Sequence, residues 1–133
     1  MRVCYLDATA LVKLATPEAE TTALRAALDT YDARVTSRLA IVEVARALLR
    51  RGVASAALVD AVAEAFTGLA IMELHAATAE SAARIGPATL RSLDAIHLAS
   101  ALALGTELKG MVTYDARMAD AARAAGLEVV APA

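Results

Sequence analysis

Apolar residues fall along this chain in short runs, separated by longer stretches with helical spacing. Val3–Leu6 is an apolar run that reads as a buried strand. Thr9 is placed to cap a helix through Leu14. Thr16 and Pro17 restart a helix, Thr16 as N-cap and Pro17 at the first helical position. Glu18 and Glu20 suit that helix start through the dipole, and Leu24 and Leu28 give it an apolar stripe. Arg34–Thr36 reads as a short strand. Ser37 caps a helix to Arg51, where Gly52 stops it. A further helix is predicted over Ser55–Phe66, followed by Gly68, and a third strand over Leu69–Leu74. Ala76–Ile85 is helical up to the Gly86–Pro87 break. Ser92 caps a helix through Leu104, ended by Gly105. Met111–Tyr114 reads as strand, Ala116–Ala125 as a helix stopped by Gly126, and Leu127–Val130 as the last strand. Strands alternating with helices predict an α/β fold, a parallel sheet with helices on both faces. No linker, repeat or low-complexity tract divides it, so residues 1–133 are expected to form one domain.

Composition narrows the class. The chain is 59% hydrophobic and 21% charged, which excludes a disordered polymer. No run of about 18 apolar residues lacks a charge, so no membrane span is expected. The N-terminus enters a strand at once, without a signal-peptide pattern. The lone Cys4 has no internal partner and fits a reducing cytoplasm as a buried thiol. A net charge of -2 argues against tight, non-specific nucleic-acid binding, and 3% aromatics leaves little for base stacking. Any nucleic-acid contact therefore depends on phosphate, metal and arginine.

Four acids stand beside apolar runs: Asp7 in V-C-Y-L-D-A-T-A-L-V-K-L, Glu43 in I-V-E-V-A-R-A-L-L-R, Asp94 in R-S-L-D-A-I-H-L-A-S-A and Asp115 in M-V-T-Y-D-A-R-M. Unpartnered buried carboxylates are costly, so such acids imply a partner, often a metal. Oxygen ligands suit Mg²⁺ or Mn²⁺. Asp7 and Asp115 each end a strand before a helix, which places both at the carboxyl edge of the sheet, where open α/β folds carry their sites. Asp94 falls in the first turn of its helix, favoured by the dipole. Glu43, about two turns into its helix, has the longer reach. Thr9 and Thr113 lie two residues from Asp7 and Asp115, so their hydroxyls are candidates to support a carboxylate or a metal-bound water.

Each residue also has a plain structural reading. Asp7 and Asp115 are ordinary turn residues under it, Asp94 a helix-start charge, and Thr9 and Thr113 a cap and a strand residue. Glu43 shares a face with Arg46 and Arg50, as a solvated charged stripe would. His97, one turn after Asp94, fits best as a packed helix histidine. No His/Cys spacing suits zinc, and neither a P-loop nor G-x-G-x-x-G is present. A receiver-like signalling module needs a phosphoacceptor Asp ending a central strand and a late Lys. A haloacid-dehalogenase-type phosphatase needs a second Asp where Thr9 stands. Both patterns fit poorly.

At these residues the chain resembles PIN-domain proteins, and among them the VapC-type toxins of toxin–antitoxin pairs. The likeness runs from Y-L-D-A-T-A-L-V-K-L through S-R-L-A-I-V-E-V-A-R-A-L and R-S-L-D-A-I-H-L-A-S-A-L to V-T-Y-D-A-R-M-A-D-A-A-R-A-A-G-L-E-V-V-A-P. The segment 53–89 matches only in helical character. The resemblance implies a metal-dependent endoribonuclease using Mg²⁺ or Mn²⁺. Its acids fall on Asp7, Glu43, Asp94 and Asp115, its hydroxyls on Thr9 and Thr113. A frequent Ser or Thr is Ala8 here. Lys13, Arg38, Arg46, Arg50, Arg91 and Arg117 are candidates to guide RNA phosphates, Arg46 and Arg91 foremost. The resemblance also implies a homodimer and a cognate antitoxin; Leu24 and Leu28 either serve one of those contacts or simply pack their helix on the sheet. The alternative is a PIN-fold or receiver-like binding module without nuclease activity.

Overall fold

A computed structural model describes residues 1–133. Five parallel strands form one sheet: β1 (Val3–Leu6), β2 (Ala33–Ser37), β3 (Ala70–Met72), β4 (Leu108–Val112) and β5 (Val129–Val130). Their spatial order is β3-β2-β1-β4-β5. The chain thus winds outward from β1 in one direction, then returns to its other side through β4. That reversal opens a crevice at the carboxyl ends of β1 and β4. Helices α1 (Ala8–Ala15), α2 (Thr21–Leu28), α3 (Leu39–Arg50), α4 (Ser55–Phe66), α5 (Ala76–Arg84), α6 (Ser92–Leu102) and α7 (Ala116–Ala124) cover the sheet.

Two apolar layers follow from the two-residue period of β1. Cys4 and Leu6 point into a layer with Leu11, Leu24, Leu28, Val44 and Leu48. Val3 and Tyr5 point into the opposite layer with Leu98, Met111 and Met118. Leu24 and Leu28 are therefore core residues of this chain, not the free docking stripe the sequence allowed. Cys4 is a buried free thiol, its pKa pushed up to about 12 by burial. No helix is long and apolar enough to cross a membrane.

Local hydrogen bonding moves several expected boundaries. Asp7, not Thr9, caps α1: its carboxylate accepts the Ala10 N–H at 3.2 Å. Thr16 closes α1 instead of opening the next helix, because its N–H and hydroxyl both return to the Val12 carbonyl. Residue Thr21 begins α2, and its buried hydroxyl ties the intervening turn to the Lys13 carbonyl. Ser37 ends β2 and still accepts the Leu39 N–H at 3.2 Å, so it helps start α3 one residue outside the flanking Arg38. Ser92 is the first residue of α6 and makes no cap. Strand β4 starts three residues before the expected Met111, through Lys109 and Gly110. A Cβ on Gly110 would fall 2.5 Å from the Tyr31 hydroxyl, so this position of the strand takes only hydrogen without a shift of Tyr31.

Candidate active site

The crevice between β1 and β4 is built around Asp7, which is 2% exposed. Thr9 donates its hydroxyl to one Asp7 oxygen at 2.6 Å, and Thr113 donates to the other at 2.5 Å. Each hydroxyl in turn accepts a backbone N–H from the loop after β4: Thr9 from Tyr114 at 2.9 Å, Thr113 from Asp115 at 3.1 Å. A hydroxyl has one hydrogen to give. Both are given to Asp7, so the carboxylate staples the end of β1 to the loop that carries Asp115. With the Ala10 N–H also bound, three of the roughly four acceptor positions on Asp7 are filled. Burial raises its carboxyl above the usual aspartate value; the Thr113 and Thr9 hydroxyls oppose that shift.

Asp115 caps α7 by accepting the Arg117 N–H at 2.9 Å. Asp94 is the third residue of α6, inside its first turn as expected. Burial raises its carboxyl, and the charges of Asp115, Asp7 and Glu43 raise it further, against a lowering by His97. The four acids therefore share one electrostatic field. Glu43 is the fifth residue of α3, one turn in and not two. It does not stand alone: His97 Nε2 lies 2.5 Å from Glu43 Oε1, and His97 Nδ1 lies 2.6 Å from the Tyr5 hydroxyl. By sequence His97 fits a packed helix residue. It is packed, at 1% exposure, and it also serves the site. The signal was its position three residues after Asp94, which puts both on one helix face.

Two clefts meet at Arg91. One, of about 560 Å³, is lined by Thr9, Lys13, Glu43, Arg46, Arg50 and Arg91 among others. The other, of about 830 Å³, takes Arg91, Asp94 and Arg117 together with Asp120. Arg46 and Arg91 thus flank the acids as expected. Lys13 is held by Glu20 at 3.1 Å and lies over the Tyr114 ring. Arg38 lies apart, in an exposed double hydrogen bond to Glu73, and lines neither cleft.

An all-carboxylate donor set is the chemistry that Mg²⁺ or Mn²⁺ prefers, and two of its members, Asp7 and Asp94, have raised carboxyls. The residue types fit. The arrangement is not closed: no three acids or histidines gather around one point. Asp7 faces its threonines and Glu43 faces His97, so holding a cation requires side-chain rotation, most freely at Asp94 and Asp115.

A sequence profile of the PIN domain matches residues 4–124. The chain belongs to the PIN-domain family, among the VapC ribonucleases. Ribonuclease VapC46 of Mycobacterium tuberculosis is 44% identical, with 99% of each chain covered. Ribonuclease VapC47 and Ribonuclease VapC35 of the same species are 39% and 43% identical, with 96% of each chain covered. The crystal structure of Mycobacterium tuberculosis VapC20, a sarcin–ricin loop cleaving toxin, superposes with a TM-score of 0.74. It covers 97% of this chain and 99% of that one, at 20% identity, and so speaks to the fold alone. The PIN-like α/β architecture expected from the sequence is the one observed.

Proposed function

We propose that this chain is a divalent-metal-dependent endoribonuclease, the toxin of a toxin–antitoxin pair, acting on RNA in the cytoplasm. The observation that carries this reading is the convergence on Asp94 at the crevice of a PIN fold, whose carboxyl is raised first by burial and then by the charges of Asp115, Asp7 and Glu43. The naming of full-length relatives as ribonucleases supports it.

In this reading Asp7, Glu43, Asp94 and Asp115 hold Mg²⁺ or Mn²⁺. Such an ion would supply Lewis-acid charge for an attacking water and for the phosphate. The chain's own residues do the rest. Thr9 and Thr113 keep Asp7 oriented and dry. Arg46 and Arg91 receive backbone phosphates at the two sides of the acids, bringing the scissile bond to the crevice. The negative edge alone would repel RNA, so these arginines also set the encounter. A cognate antitoxin and a homodimer complete the proposal.

Total cellular RNA incubated with the protein in Mg²⁺, Mn²⁺ or EDTA, beside Asp94→Asn, tests it. The expected result is discrete fragments with metal and none with EDTA or the variant. No cleavage, together with no rise in Tm on adding metal, overturns the reading and leaves a PIN-fold binding module.

A further inference from the structure

We propose that His97, braced by Tyr5, is a positioning residue that aims Glu43 into the cleft; this deepens the nuclease reading and rests on it. Both imidazole nitrogens are used. Nε2 reaches Glu43 Oε1 at 2.5 Å and Nδ1 reaches the Tyr5 hydroxyl at 2.6 Å. A carboxylate has no proton to offer, so Nε2 carries the hydrogen of that contact. With that single ring hydrogen on Nε2, Nδ1 accepts and the Tyr5 O–H donates to it. Donation runs one way, from β1 through α6 to α3.

Each member is fixed where a free side chain would wander. Tyr5 is fully buried in the central strand, its ring edge-on to the imidazole at 66°. His97 is 1% exposed. Glu43 is the most exposed of the three, with 19% of its side chain open to solvent, on a helix face that also carries Arg46 and Arg50. Without His97, those guanidinium groups compete for its carboxylate. With it, Oε1 is held and Oε2 is left for the cleft.

The choice of donor matters. An arginine in this place would hold Glu43 just as firmly and cancel its charge. An imidazole N–H meets one carboxylate oxygen only and leaves the other open to a cation. Asp7 is oriented by two neutral hydroxyls. Partners that orient a metal-binding carboxylate through hydrogen bonds tune its affinity without touching the metal.

The test uses the full chain as wild type, His97→Leu, His97→Gln and Tyr5→Phe, each checked for folding by thermal melting. Three quantities are read: the imidazole tautomer by ¹⁵N NMR without metal, Mn²⁺ affinity by EPR titration, and kcat and KM for RNA cleavage. We expect hydrogen on Nε2 in the wild type. His97→Leu weakens Mn²⁺ binding by about 10–100-fold and lowers kcat more than it raises KM. His97→Gln, whose amide N–H points where Nε2–H does, recovers most of both losses, and Tyr5→Phe falls between. Hydrogen on Nδ1, or equal losses in the Leu and Gln variants, overturns the inference. Wild type that binds Mn²⁺ and cuts RNA while His97→Leu matches it overturns this inference alone. Wild type that does neither overturns the nuclease reading along with it.

Discussion

Asp7 and Leu11 sit one helical turn apart and are about equally hidden from solvent, at 2% and 0% exposure. Burial acts on them in opposite directions. Leu11 gains from leaving water and from close contact in the layer beneath the sheet edge. Asp7 loses hydration and answers with a raised carboxyl, even with two hydroxyls and an N–H bound to it. The same contrast separates whole regions. The apolar layers hold the fold, whereas the carboxyl edge gathers Asp7, Ser37, His97 and Thr113 as buried polar groups. An edge that strains the protein in this way is what a site does when stability is given up for chemistry.

Substitutions on the two sides of this divide should therefore differ in sign. Leu11→Ala leaves a cavity in the core and should lower stability by about 2–5 kcal/mol, read from urea unfolding with no change in m. Val59→Ala on the exposed face of α4 is the control, expected within about 0.5 kcal/mol of wild type. A small loss at Leu11 would show that the apolar layer is not what holds the sheet edge in place.

Asp7→Asn comes next in size and should separate activity from stability. RNA cleavage should fall by more than about 100-fold, about 2.7 kcal/mol of barrier. The metal-free Tm should be no lower than that of wild type. An asparagine fills the same space, and the Thr9 and Thr113 hydroxyls can rotate to meet one oxygen and one NH₂. What disappears is the buried negative charge. A Tm drop like that of Leu11→Ala would mean that the Asp7 charge itself supports the fold, which would erase the contrast.

The local part of this organisation was legible in the sequence. Helix α4 has the predicted bounds, and Asp7 and Asp115 could be placed because each ends an apolar run before a helical one. What escaped were choices between near and distant partners. Thr9 reads as a cap for its own helix, yet its hydroxyl serves Asp7 and the Tyr114 N–H, 105 residues away. Thr16 reads as a start and acts as a stop. Glu43, Tyr5 and His97 come from three separate segments, and no periodicity reports that they touch. Arg38 follows a strand just as a phosphate-binding residue would; its Glu73 partner, 35 residues on, shows only in the folded chain.

A smaller effect lies in the pH dependence of Asp94. Its folded carboxyl is raised above the ordinary 3.8, first by burial and then by Asp115 and Asp7. Between 3.8 and that higher folded value, the unfolded chain has released a proton that the folded chain keeps. The Asp94 contribution thus turns unfavourable as pH rises through this window and stays so at neutral pH. Asp94→Asn removes it. In EDTA, the variant should melt slightly higher than wild type near pH 7, and the gap should close as pH falls towards 3.8. An excess of Mg²⁺ should stabilise wild type and leave the variant behind. A gap that instead widens at low pH would place the charge repulsion elsewhere.

The smallest effect is expected at the exposed Arg38–Glu73 pair, where both side chains are 53% exposed. Its geometry is good, with two guanidinium nitrogens on Glu73. Arg38 stays charged and Glu73 is held below its ordinary pKa by that partner. Solvent screening still leaves such an exposed pair with little effect on stability. Arg38→Ala should shift Tm only slightly, the shift should shrink in high salt, and RNA cleavage should be unchanged. Arg46→Ala makes the useful contrast: it touches no acid partner, so its stability cost should be as slight, but KM for RNA should rise. If both variants raise KM alike, the basic rim extends past the two clefts and Arg38 belongs to it. If neither does, phosphate guidance falls to Arg91, where the clefts meet.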